Sequence, residues 1–177
     1  MQHVTNESER VRSQHATNDG EYLRSQWTDR IRLPKVEAGV DQHEEWCEIH
    51  ERGEWRRLRF HDYAEIYRRP GLYEHLFYGM LACRSPERVS ALLTEVCEES
   101  GVAPPDLRVL DLGAGNGIVG QRLRERGVEH VLGIDILPEA AAAAERDRRG
   151  VYDDYVVADL LELRPEVEAR LRAFRPT

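Results

Sequence analysis

The sequence predicts an α/β fold, a parallel sheet flanked by helices, on three observations. Leu107–Gly120 (LRVLDLGAGNGIVG) sets a short apolar strand, a glycine-rich turn and a helix start in succession. The strand–helix alternation then repeats twice before the chain ends. An acid closes each of the three strands, Asp111, Asp135 and Asp159, at equal separations of 24 residues. Alternation of this length gives parallel strands with right-handed crossovers.

Leu107, Val109, Leu110 and Leu112 suit a strand covered on both faces. Gly113, Gly115 and Gly117 let the backbone turn sharply and come close to a ligand, because no Cβ intervenes. Ile118, Val119 and Leu123 begin a helical apolar face, and Gly127 is placed to end that helix. Val128–Asp135 reads as the second strand, and Pro138 opens an alanine-rich helix to about Arg149, stopped by Gly150. Tyr155–Ala158 is the third strand, and Pro165 starts a last helix through Leu171. Ahead of the sheet, Ser85 reads as an N-cap with Pro86 at the first helical position. Val89, Leu92, Leu93, Val96 and Cys97 then follow the spacing of one buried face.

The remaining N-terminal part divides in two. Residues 1–20 are polar and poor in apolar side chains, the composition of a disordered tail. Residues 21–84 are dense in charge and aromatics and read as a mainly helical extension, with helices expected over Asp41–Arg52 and Asp62–Arg69. His43, Cys47 and His50 would share a face of the first of these. A metal site there would have three ligands and no obvious fourth, so an amphipathic helix with incidental His and Cys is the favoured reading and no metal is expected.

Composition narrows the function. The 177 residues carry a net charge of −8, which argues against general affinity for nucleic acid. Three widely spaced cysteines give no disulfide framework and fit a reducing cytoplasm. No apolar run nears the ~20 residues of a membrane span, and the first residues lack the apolar core of a secretory signal. A cytoplasmic location is expected.

Ligands of open parallel sheets bind beyond the carboxyl ends of the strands, so the three acids would face one crevice. Gly115–Gly120 formally satisfies the dinucleotide fingerprint G-x-G-x-x-G, with Asp135 where a ribose-binding acid belongs, which would make the chain an NAD-binding oxidoreductase. That alignment puts Asp111 and Gly113 inside the buried strand, where both are poor occupants. If Gly113 instead starts the turn, Asp111-Leu-Gly-Ala-Gly-Asn-Gly117 resembles motif I (D-x-G-x-G-x-G) of the class I S-adenosylmethionine-dependent methyltransferases. GID (133–135) resembles that family's acidic loop, and VVADLLEL (156–163) its adenine-contacting segment. The resemblance covers roughly Ser85–Leu163.

The resemblance implies a Rossmann-like sheet with the three strands in the order 3-2-1 and S-adenosylmethionine as cofactor. It assigns the ammonium and carboxypropyl end to Asp111 and the loop Gly113, Ala114, Gly115, Asn116 and Gly117. It gives both ribose hydroxyls to Asp135, the adenine face to Ile136, and the adenine amino edge to Asp159 with Leu160. HDYAEIY (His61–Tyr67) resembles the lead-in of many small-molecule methyltransferases, which places Tyr63 or Tyr67 near the sulfonium. The implied function is methyl transfer to a small molecule; the alternative is a degenerate module that binds the cofactor without turnover. The family's sheet has further strands after the third helix, and this sequence stops there. The first strand is therefore expected to have an open edge, completed by a longer gene product, by a partner, or by self-association.

Overall fold

The computed structural model describes residues 26–34 and 45–177. The tail at 1–20 and His43 lie outside the described residues. The chain forms two compact units, Met1–Ala82 and Cys83–Thr177.

In the first unit, β1 (Ile31–Arg32), β2 (Trp46–Glu51) and β3 (Glu54–Arg59) form an antiparallel sheet in that order. The segment expected to be helical over 41–52 is therefore a strand from Trp46 onward. Its pattern explains why: Cys47 and Ile49 are fully buried while Glu48 and His50 face outward, a period of two rather than 3.6. Arg52 and Gly53 both have positive φ, 54° and 86°, the two-residue turn whose twist suits a hairpin. Cys47 and His50 consequently sit on opposite faces of β2. Burial pushes the Cys47 thiol up to about 11, and the His50 ring packs against Trp55 at 5.1 Å.

The helix α1 (Tyr63–Tyr67) follows, then a π-helical segment, Glu74–Met80. Ile49, Leu58, Ile66, Leu72 and Leu76 meet with Trp27 in this unit's core. Arg69 ties α1 to the hairpin, with Nε 2.9 Å from Glu51 and Nη1 3.0 Å from Glu65. Trp27 Nε1 donates to the Pro70 carbonyl at 2.9 Å, so the indole is both buried and satisfied.

The second unit opens with α2 (Ser85–Ser100) and continues β4 (Arg108–Leu112), α3 (Ile118–Glu125), β5 (His130–Asp135), α4 (Pro138–Asp147), β6 (Asp154–Val157) and α5 (Pro165–Phe174). The sheet is parallel in the order β4-β5-β6, with Asp111 opposite Gly133 and Asp135 opposite Val157. One face of the sheet packs Leu107 and Val131 against Cys97 of α2 and Leu123 of α3. The other packs Leu132, Ile134 and Val156 against Val167 and Phe174 of α5. Both faces of the parallel sheet are thus packed against helices, as the apolar residues on alternate sides of its strands led one to expect.

Two local expectations change. Ser85 is the first residue of α2 rather than its cap, and its hydroxyl meets Cys83 Sγ at 2.8 Å. The face expected to be buried is only half so: Cys97 is buried and Leu93 partly, whereas Val89 (53%), Leu92 (42%) and Val96 (57%) are exposed. Polar contacts set this rotation. Ser90 is fully buried where α2 meets α3, and its hydroxyl accepts from Arg126 Nε at 3.1 Å. Arg122 of α3 pairs with Glu87 at 3.1 Å on the same side. On the side of β4 away from β5, Thr177 N donates to the Arg108 carbonyl at 3.1 Å and Thr177 Oγ1 accepts from Arg108 N at 3.0 Å. Among the described residues no strand pairs with the remainder of that edge.

Candidate functional site

Strand β4 ends at Leu112, and the chain turns through Gly113, Gly115 and Gly117, all at positive φ (71°, 55°, 84°), before α3 begins. Side chains rarely adopt these angles, which is the local reason for glycine here. A Cβ at Gly113 would meet nothing within 4 Å, so the first glycine faces open space at the strand end. The loop is pinned to the neighbouring strand: the N–H groups of Gly113 and Ala114 both donate to the Ile134 carbonyl, at 2.9 and 3.0 Å.

Asp135 closes β5 and braces the same loop. Its Oδ2 accepts from Gly115 N and its Oδ1 from Leu137 N, each at 2.9 Å. A carboxylate offers about four acceptor sites, so each oxygen keeps capacity for a hydroxyl donor. Asp159, two residues past β6, accepts from Leu161 N at 2.8 Å and is held in a local turn. Ile136 and Leu160 follow the second and third acids and remain 58% and 43% exposed. With Leu112 at 58%, they leave apolar surface uncovered at the strand ends.

Asp111 differs from the other acids. It lies on β4 facing α3, opposite Gly133, and burial together with the nearby Asp135 charge holds its carboxyl above the ordinary carboxylate range. Tyr152 opposes this shift by donating its O–H to Asp111 Oδ2 at 2.7 Å. Tyr155 O–H donates to the Gly115 carbonyl at 2.8 Å, and Arg148 Nη1 to the Asn116 carbonyl at 3.1 Å. Burial raises both phenols well above their usual value, so both act as donors. The segment Arg148–Tyr155 thus grips loop carbonyls as well as the half-buried Asp111.

Asp111, the loop 113–117, Asp135 and Ile136 therefore gather at the ends of β4 and β5, with Asp159 and Leu160 just past β6. Tyr63 and Tyr67 belong to the first unit, where their rings stack at 6.2 Å with 23° between planes. Among the described residues no group of His, Cys, Asp and Glu is arranged to hold a metal ion. Sequence reasoning missed Arg148, Tyr152 and Tyr155. A signal existed: Gly120 inside a helix and Gly133 inside a strand mark places where something approaches closely.

The donor set suits S-adenosylmethionine. A half-buried carboxylate can hold an ammonium, a half-satisfied carboxylate can take a diol, and neither would welcome a pyrophosphate. Residues 109–171 match the family described as "Methyltransferase domain". Ribosomal RNA large subunit methyltransferase E of Methanospirillum hungatei JF-1 is 36% identical over 81 residues, 45% of this chain. That match spans 39% of the relative's own length, so the chain corresponds to about two fifths of it. A crystal structure of Thermoplasma acidophilum 1320 aligns at 32% identity over 43% of this chain and 40% of that one, with a TM-score of 0.34. Residues 109–171, which hold the glycine loop and the strand-end acids, are thus similar to a methyltransferase domain.

Proposed function

We propose that this chain binds S-adenosylmethionine at the ends of β4, β5 and β6 and serves methyl transfer to a small-molecule acceptor. The observation that carries the reading is the convergence of Asp111 and Asp135 on one glycine loop, the second bonded directly to Gly115 N. Asp111 and the loop 113–117 would hold the amino-acid end, and Asp135 the ribose. Ile136 would lie against the adenine, with Asp159 and Leu160 at its amino edge. The cofactor supplies an activated methyl group; the protein's share is to bind, align and exclude water. Alignment is what a braced loop provides. A part for Tyr63 or Tyr67 beside the sulfonium rests on the resemblance of His61–Tyr67 alone.

The net charge of −8 favours a small acceptor over a polyanion. One observation favours a second reading: the Methanospirillum relative is named as a ribosomal RNA methyltransferase, so RNA is the competing acceptor. Calorimetric titration of the full chain with S-adenosylmethionine and with NAD tests the cofactor. Binding of the first and not the second is expected; the reverse would sink the proposal. Transfer of label from methyl-labelled cofactor to a small-molecule panel or to ribosomal RNA then separates the acceptors. No transfer to either, with the cofactor bound, would support a binding module without turnover.

A further inference from the structure

Tyr152 occupies a slot that three glycines leave open. A Cβ at Gly120 would lie 2.7 Å from Tyr152 Cε1 and 2.8 Å from Cζ; at Gly133 and Gly117 the nearest ring atoms would be 3.1 Å away. Gly120 sits within α3 and Gly133 within β5, where glycine weakens both elements. Gly133 lies directly opposite Asp111 in the sheet, so its missing side chain clears the line from ring to carboxylate. The ring lies beside the core of Leu123 and Val131, and its hydroxyl ends 2.7 Å from Asp111 Oδ2. Packing alone would be met by phenylalanine. A hydroxyl half-buried against this core is best satisfied by a partner, and here the partner is the half-buried acid Asp111.

We propose that Tyr152 is a positioning residue for the amino-acid end of the cofactor: by holding Asp111 Oδ2 it fixes the carboxylate and reserves Oδ1 for the ligand's ammonium. This rests on the methyltransferase reading above. The three glycines are then spacing for one hydrogen bond, and the conformational freedom they add to the unfolded chain is offset by a preorganised acid.

The test compares two ligands on the full chain by calorimetry. S-adenosylhomocysteine carries the amino-acid end; 5′-methylthioadenosine keeps the nucleoside and lacks that end. Wild-type protein should bind the first more tightly. Tyr152→Phe keeps the ring in its slot and should weaken S-adenosylhomocysteine about tenfold, leaving 5′-methylthioadenosine within about twofold. Asp111→Asn should show the same selectivity, and adding Tyr152→Phe to it should cost nothing more, since one residue acts through the other. Equal weakening of both ligands, no change in either, or additive losses would overturn the proposal in favour of simple packing. Should Tyr152→Phe fail to fold, Asp111→Asn carries the same comparison, and an unselective loss there also overturns it. Wild-type protein that binds neither ligand defeats the cofactor reading and this proposal together. Wild-type binding of both, with an unselective variant, defeats only the latter.

Discussion

The binding role proposed for Asp111 would come at the expense of folding. Burial and the Asp135 charge raise its carboxyl above the ordinary value, so the folded chain holds that proton more readily than the unfolded chain does. Stability tied to this group is therefore present at low pH and is lost as pH rises through the window between the unfolded value of about 3.9 and the raised folded one. Asp111→Asn removes the half-buried charge and keeps an acceptor for Tyr152. It should be more stable than wild type at pH 7, with the difference vanishing toward pH 3, as read by urea unfolding at both. A variant less stable at pH 7 would contradict this account. Asp135 has a different duty, and Asp135→Ala should weaken S-adenosylmethionine by roughly 1.5–3 kcal/mol, as expected for charge-assisted hydrogen bonds; unchanged calorimetric affinity would remove it from the site. The placement of the three acids at or just past the strand ends was legible from spacing, because the strand ends of a parallel sheet share one side. Tyr152 was not: Gly120 and Gly133 mark a close approach, but nothing in the local pattern names the tyrosine or its partner 41 residues away.

The glycine loop and its strand read correctly because a strand packed on both sides carries apolar residues on each, here Val109 and Leu110. The hairpin did not, because Glu, His and Arg on its solvent face imitate an amphipathic helix, and the deciding cue was the Arg52-Gly53 turn. Burial along α2 was misjudged for a related reason: periodicity locates an apolar stripe, while Ser90 and its bond from Arg126 decide which stripe faces α3. Two consequences belong to elements. Gly120→Ala would set a methyl 2.7 Å from the Tyr152 ring and should cost about 1–3 kcal/mol of stability by overpacking, despite alanine's better helix propensity. Equilibrium denaturation measures it, and a stabilised variant would show the slot to be slack. The exposed Val89–Leu92–Val96 stripe and the unpaired part of the β4 edge both invite association. Leu92→Glu should lower any self-association seen by sedimentation velocity; an unchanged distribution would free that stripe from the role.

At the scale of the molecule, the two units have separate cores: Trp27, Ile49, Ile66 and Leu76 in one, Val131, Leu132, Ile134 and Phe174 in the other. In the sequence a boundary falls at Ser85-Pro86, where an aromatic-rich pattern changes to an alternating one, but the architecture of the first unit was not legible. Separate cores imply separate cooperative transitions. The proposed cofactor residues Asp111, Asp135 and Asp159 all lie in the second unit, so a ligand that binds them should stabilise that unit alone. At a ligand concentration 100 times its dissociation constant the gain is about 2.7 kcal/mol. Scanning calorimetry of the full chain should then resolve two transitions, of which S-adenosylhomocysteine moves one upward and leaves the other in place. If both rise together, the cofactor is coupled to the first unit as well, which is the result expected should Tyr63 or Tyr67 touch it. A single transition insensitive to the ligand would count against both the division and the site.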